Sequence, residues 1–189
     1  MKVTKEKAEE NRQQVIETSS RLFREKGFDG VGVSTLMQAA GLTHGGFYKQ
    51  FESKDDLIAK ATKAALDQTA QRMSSLLGTD KRASLEKVVG LYLSDQHRNG
   101  VAEGCAFAAL GPDVARHGPK ARRVMQRGIK DQLALLESLV ETEGEGSGRE
   151  EAIATMATMV GALVLARAVE DTALSSEILE AAAHSILQK

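Results

Sequence analysis

Cys105 is the only cysteine in this 189-residue chain, and histidines at 97 and 117 bracket it in sequence. A catalytic thiol needs a base within hydrogen-bond reach and an oxyanion hole, and no local signature supplies either. His97, Cys105 and His117 do not follow a zinc-ligand spacing, so no metal is expected. The chain has no glycine-rich phosphate loop and no paired carboxylates, so neither a cofactor nor an enzyme is expected. Two roles stay open for Cys105. It is a small, inert core residue beside Ala106 and Phe107, or it is a thiolate that senses electrophiles or oxidants at a pocket mouth. In the second role a helix N-terminus would lower its pKa, against the charge of Glu103. Tyr92 and Phe107, the only aromatics after residue 51, join it as candidates for effector contact.

A different chemistry gathers between residues 33 and 57. Leu36, Ala39, Ala40, Leu42, Phe47 and Phe51 take inward positions of a helix, a tight turn at Gly41 and a second helix. Thr43, His44, Gly46, Tyr48, Lys49 and Gln50 are left outside, each a hydrogen-bond donor, a cation or a residue small enough for close approach. That is the surface a recognition helix brings to a major groove, its N-terminal residues nearest the bases. Gly45 and Gly46 cost roughly 1 kcal/mol each relative to alanine inside a helix. Close approach of the backbone to DNA accounts for that cost; a frayed turn before Phe47 is the structural alternative.

The elements that must hold these groups read as helix throughout, and no strand-like alternation persists. Val15, Ile16, Leu22 and Phe23 predict a helix over about 6–26, stopped by Gly27. Ser34 is a cap for 35–40, Thr43 for 44–51, and Ser53 for a long helix to about residue 77. Further helices are expected over about 81–98, 103–115, 119–141, 149–171 and 174–188, with a flexible linker at 143–148. The fold class is therefore all-α, with about nine helices. Five of the seven aromatics lie in the first 51 residues, as a compact three-helix headpiece requires for its own core. We expect a helix-turn-helix DNA-binding domain over 1–52 and a larger effector-binding and dimerisation domain over 53–189.

The run Ala40-Gly41-Leu42-Thr43-His44-Gly45-Gly46-Phe47-Tyr48, with Phe51 and Ser53-Lys54-Asp55-Asp56-Leu57, resembles the helix-turn-helix signature of the TetR family over roughly residues 12–60. The resemblance implies a homodimer whose two recognition helices enter successive major grooves of a near-palindromic, double-stranded operator. It implies that Thr43, Tyr48 and Lys54 hold phosphates, and that His44, Gly46 and Lys49 reach bases. Thr35 and Gly45 complete the expected DNA-binding set. The family often has His before the final Phe, where this chain has Gln50. Glutamine can pair bidentately with adenine or contact a phosphate, and both stay open. The Gly104-Cys105 pair is similar to a subset of the same family.

Bulk composition is compatible with this reading without deciding it. Net charge is −1 overall, with a balance of +2 over residues 1–54, too weak a bias for non-specific polyelectrolyte binding. The charged N-terminus has no secretory pattern and the lone cysteine fits a reducing cytoplasm. The longest apolar stretch, Ala152–Ala166, falls short of the roughly 18 residues that span a bilayer, so no membrane is expected. Met156, Val160, Leu163 and Val164 on the penultimate helix, with Ile178 and Ala182 on the last, predict a four-helix dimer interface. Repression relieved by an apolar or reactive small molecule is the expected function. Activation, or constitutive binding without an effector, are the alternatives.

Overall fold

The computed structural model describes residues 4–140 and 147–188. Ten α-helices and one 3₁₀ turn account for the regular structure, with no strand among the described residues. Helix α1 (Lys5–Lys26) starts where the Thr4 hydroxyl accepts the Lys7 N–H, and stops at Gly27, whose φ of 72° only glycine adopts cheaply. Its buried face carries Val15, Ile16 and Phe23.

Helix α2 (Val33–Ala39) begins two residues earlier than the sequence suggested. Gly32, not Ser34, is its N-cap, with no side-chain cap bond, and Ser34 is exposed. At the other end Gly41 takes a φ of 70°, and Leu42 N–H returns to the Met37 carbonyl at 2.9 Å, which closes the turn. The expected helix 44–51 is split. His44–Gly46 form a 3₁₀ turn, in which Gly46 N–H reaches the Thr43 carbonyl, and α3 proper is Phe47–Gln50. The Thr43 side chain makes no cap bond. Two successive glycines weaken α-helical geometry enough for the tighter turn to win.

Ser53 caps α4 (Lys54–Ser74) through the Asp56 N–H. The single helix expected over 81–98 is two: α5 (Lys81–Tyr92) and α6 (Asp95–Asn99), divided where the Ser94 hydroxyl accepts the His97 N–H and starts a new helix. Next come α7 (Ala106–Arg116), which tolerates Pro112, and α8 (Pro119–Leu139), with proline at its first position. Helices α9 (Ser147–Ala168) and α10 (Thr172–Leu187) complete the chain. Most of the linker expected at 143–148 lies outside the described residues, and its last two residues begin α9.

Helix α4 packs on both α1 and α8, so one element joins the DNA-binding and C-terminal regions. Buried apolar side chains form one continuous cluster from Val15 to Ile186. By length and composition Gly148–Ala168 is apolar enough to cross a membrane, which corrects the shorter stretch read from sequence. It packs instead against α8 and α10, with Ala152, Met159, Leu163 and Ala166 in the core.

Candidate nucleic-acid interface and the cavity behind it

Phe47 and Phe51 sit 5.4 Å apart in the core, and Arg12 covers the Phe51 ring at 5.5 Å. This buried pair fixes the rotation of α3, and its opposite face points outward. Thr35, Thr43, His44, Gly45 and Lys49 are exposed, as is Tyr48 at 71%. The Tyr48 ring is braced edge-on by Phe47, at 5.1 Å, and by His44, at 6.5 Å. Gly46 is half-buried. These groups form one polar, donor-rich surface able to contact bases and phosphates.

Two of the expected DNA-binding residues are placed differently. Gln50 is half-buried, and its side-chain oxygen is buried without a hydrogen-bond partner. Lys54 donates to the Phe28 carbonyl at 2.6 Å, which ties the start of α4 to the turn after α1. An ammonium at a helix N-terminus opposes the helix dipole, and the carbonyl offsets this. Two of its three donors remain for other partners.

Behind the headpiece a cavity of about 480 Å³ lies between α4, α5, α6 and the loop before α7. Its wall includes Thr69, Arg72, Tyr92, His97, Glu103 and Cys105. Burial pushes the Cys105 thiol above its ordinary value despite its place as N-cap of α7. The helix-assisted thiolate suggested by the sequence is thus corrected: desolvation outweighs the helix end. Burial, with the neighbouring Cys105, holds the Tyr92 phenol well above its usual range, and the Tyr92 hydroxyl has no geometrically formed hydrogen bond.

His97 Nδ1 lies 2.6 Å from the Tyr92 carbonyl, and Nε2 accepts the Cys105 N–H at 2.9 Å. A carbonyl can only accept, so the proton sits on Nδ1 and the ring is neutral. Burial lowers its pKa accordingly. His97 therefore holds the backbone of Cys105, while His117 lies apart, edge-on to Phe28. Among the described residues no group of three His, Cys, Asp or Glu converges as a metal site. Phe107 is buried away from this cavity and lines an apolar groove of about 680 Å³ between α7, α8 and α9.

Of the expected dimerisation residues, Leu163 is fully buried and Ala182 is buried, both within the chain's own core. That corrects their assignment to a face for a partner. Val164 is 40% exposed, and Met156, Val160 and Ile178 are half-buried. Ile153 and Leu165, which were not among the expected dimer contacts, are 47% and 58% exposed. An apolar helix facing both its own core and outward carries no periodicity that separates the two.

A helix, a glycine turn and a short helix with an outward polar face, set on an all-helical body, define a helix-turn-helix DNA-binding protein. Residues 15–61 match the family model for bacterial regulatory proteins of the tetR family. The matched segment is a tetR-type DNA-binding domain, and the chain is a DNA-binding transcriptional regulator rather than an enzyme. It is 26% identical to the HTH-type transcriptional repressor NemR of Escherichia coli strain K12 over 144 residues, 75% of this chain and 70% of the relative. A TetR transcriptional regulator from Chloroflexus aurantiacus superposes with a TM-score of 0.83 at 26% identity, covering 97% of this chain and 95% of the other. The reduced form of E. coli NemR gives 0.81 at 24% identity over 95% and 96%, a likeness of fold.

Proposed function

We propose that the chain is a cytoplasmic, homodimeric repressor that releases a near-palindromic operator when a small molecule occupies the cavity beside Cys105. The observation that carries the effector is the cavity itself, of about 480 Å³, with Tyr92, His97 and Cys105 in its wall. A constitutive DNA-binding protein needs no such space.

On the DNA side, Thr35, Thr43, Tyr48 and Lys54 hold phosphates, and His44, Gly45, Gly46 and Lys49 approach base edges; Gln50 faces inward in the free protein. The dimer face combines Ile153, Ala157, Val160 and Val164 of α9, at helical spacing on one side, with Leu174 and Ile178 of α10. The exposure of Ile153, Val164 and Leu174 supports this. The test of the effector reading is fluorescence anisotropy on an operator selected in vitro, screened against small carbonyl compounds. Gln96→Trp, at the cavity mouth, should abolish release while leaving operator binding intact; release unchanged by Gln96→Trp contradicts the reading.

A covalent signal at Cys105 is a second reading, supported by its place in the cavity wall. Release by an aldehyde from wild type but not from Cys105→Ser favours it, and equal release from both returns Cys105 to the core.

A further inference from the structure

We infer that the Gly104–Cys105 peptide unit links the cavity wall to the DNA-binding headpiece, with Arg24 of α1 as the positioning residue that grips it. This rests on the cavity being the effector site. The two ends of one peptide plane are held from opposite sides. Its N–H is donated to His97 Nε2 at 2.9 Å, and its carbonyl accepts Arg24 Nη1 at 2.9 Å. His97 and Cys105 line the cavity; Arg24 belongs to the helix that carries the headpiece core.

Arg24 is only 3% exposed, and among the described residues no carboxylate pairs with it. Besides Gly104 its partners are the Ser20 carbonyl at 3.2 Å, the Ser20 hydroxyl at 3.4 Å and Gln68 Oε1 of α4 at 3.0 Å. Burial lowers its pKa, and Glu103 opposes that shift. Of these dipoles only the Gly104 carbonyl lies outside α1 and α4, and a buried cation deprived of it loses its hold on the loop. A shift of the loop that removes the Gly104 carbonyl is therefore felt directly by α1.

The same loop is braced from three other points. Arg21 of α1 pairs with Glu103 at 2.6 Å, and Arg72 of α4 donates to the Glu103 carbonyl at 3.1 Å. Arg167 of α9 donates to the His97 carbonyl at 2.7 Å and the Arg98 carbonyl at 3.0 Å. Gly104 leaves the peptide no slack: a Cβ there would sit 2.8 Å from Arg167 Nη2 and 2.9 Å from the Gly100 carbonyl. A ligand that displaces the His97 ring must turn or push the 104–105 peptide, and Arg24 then loses its grip.

Energetic coupling is reciprocal, so DNA binding must alter the loop as the loop alters DNA binding. Cys105, the only cysteine, reports on it without knowledge of the effector. The experiment measures alkylation of Cys105 by iodoacetamide, free and with saturating operator duplex, saturation being checked for each variant by anisotropy. In wild type the operator should slow alkylation about fivefold or more. In Arg24→Met the two rates should be equal, while Gln68→Ala, which leaves the Gly104 bond intact, should keep the wild-type ratio. A wild-type rate indifferent to DNA, or a wild-type ratio in Arg24→Met, overturns the inference. Should Arg24→Met not fold, hydrogen exchange of wild-type peptides over 97–105 decides: added protection on operator supports the link and unchanged exchange overturns it. Because no effector is used, failure here leaves the effector reading to its own test at Gln96.

Discussion

At the residue scale, the phosphate contact proposed for Lys54 separates experimentally from its bond within the fold. Its bond to the Phe28 carbonyl stabilises the fold, and its remaining donors are free for a phosphate. Lys54→Met should lower stability by about 1 kcal/mol, seen as a fall in the urea midpoint. It should also lower the salt slope of operator binding by about 0.9, seen by anisotropy against salt. An unchanged slope removes Lys54 from the phosphate contacts. His97 gives a pH signature. Burial sets its folded pKa below the ordinary 6.5, so the unfolded chain takes up the proton first. Its contribution to stability is whole above the unfolded value and is lost as pH falls from there towards the folded one. Urea midpoints measured between about pH 7.5 and 5 should fall more steeply for wild type than for His97→Leu; parallel curves contradict the neutral, doubly bonded ring. Tyr92, Cys105 and the glycine pair were legible as residue types. The inward turn of Gln50 and the Phe28 bond of Lys54 were not, because both depend on contacts across the fold rather than on spacing.

At the element scale, helix positions followed from local signals wherever one signal acted alone. Gly27 stops α1 and Ser53 starts α4 as the sequence implies. The α5–α6 break was missed because apolar periodicity runs through it, and the Ser94 cap competes only once His97 and Tyr92 are packed together. Helix α9 shows the limit most clearly: residues for the core and residues for a partner are both apolar, so Leu163 and Val164 look alike until burial separates them. This gives paired predictions. Val164→Glu should leave the secondary structure intact and weaken association by on the order of 3 kcal/mol, read as monomer by sedimentation equilibrium. Leu163→Glu should unfold the chain, because it buries an unpaired charge within one subunit. A folded dimer for Val164→Glu would remove this face of α9 from the interface.

At the scale of the whole molecule, function depends on two headpieces held about 34 Å apart, one helical turn of DNA or a multiple of it. On the proposed dimer, α9 and α10 would set their spacing, and α4, α1 and the 97–105 loop their response. The claim on which all of this rests is that the 3₁₀ turn at His44–Gly46 meets DNA closely enough to exclude a side chain. In the free protein a Cβ at Gly45 meets nothing within 4 Å, and the residue has no positive φ. Gly45→Ala should therefore leave the fold unchanged or stabilise it by roughly 0.5–1 kcal/mol. The deciding measurement is anisotropy of Gly45→Ala and wild type on the same selected operator, with thermal midpoints taken alongside. An affinity loss of about tenfold or more, ~1.4 kcal/mol, with an equal or higher midpoint is the predicted result. Equal operator affinity for the two proteins would contradict the account.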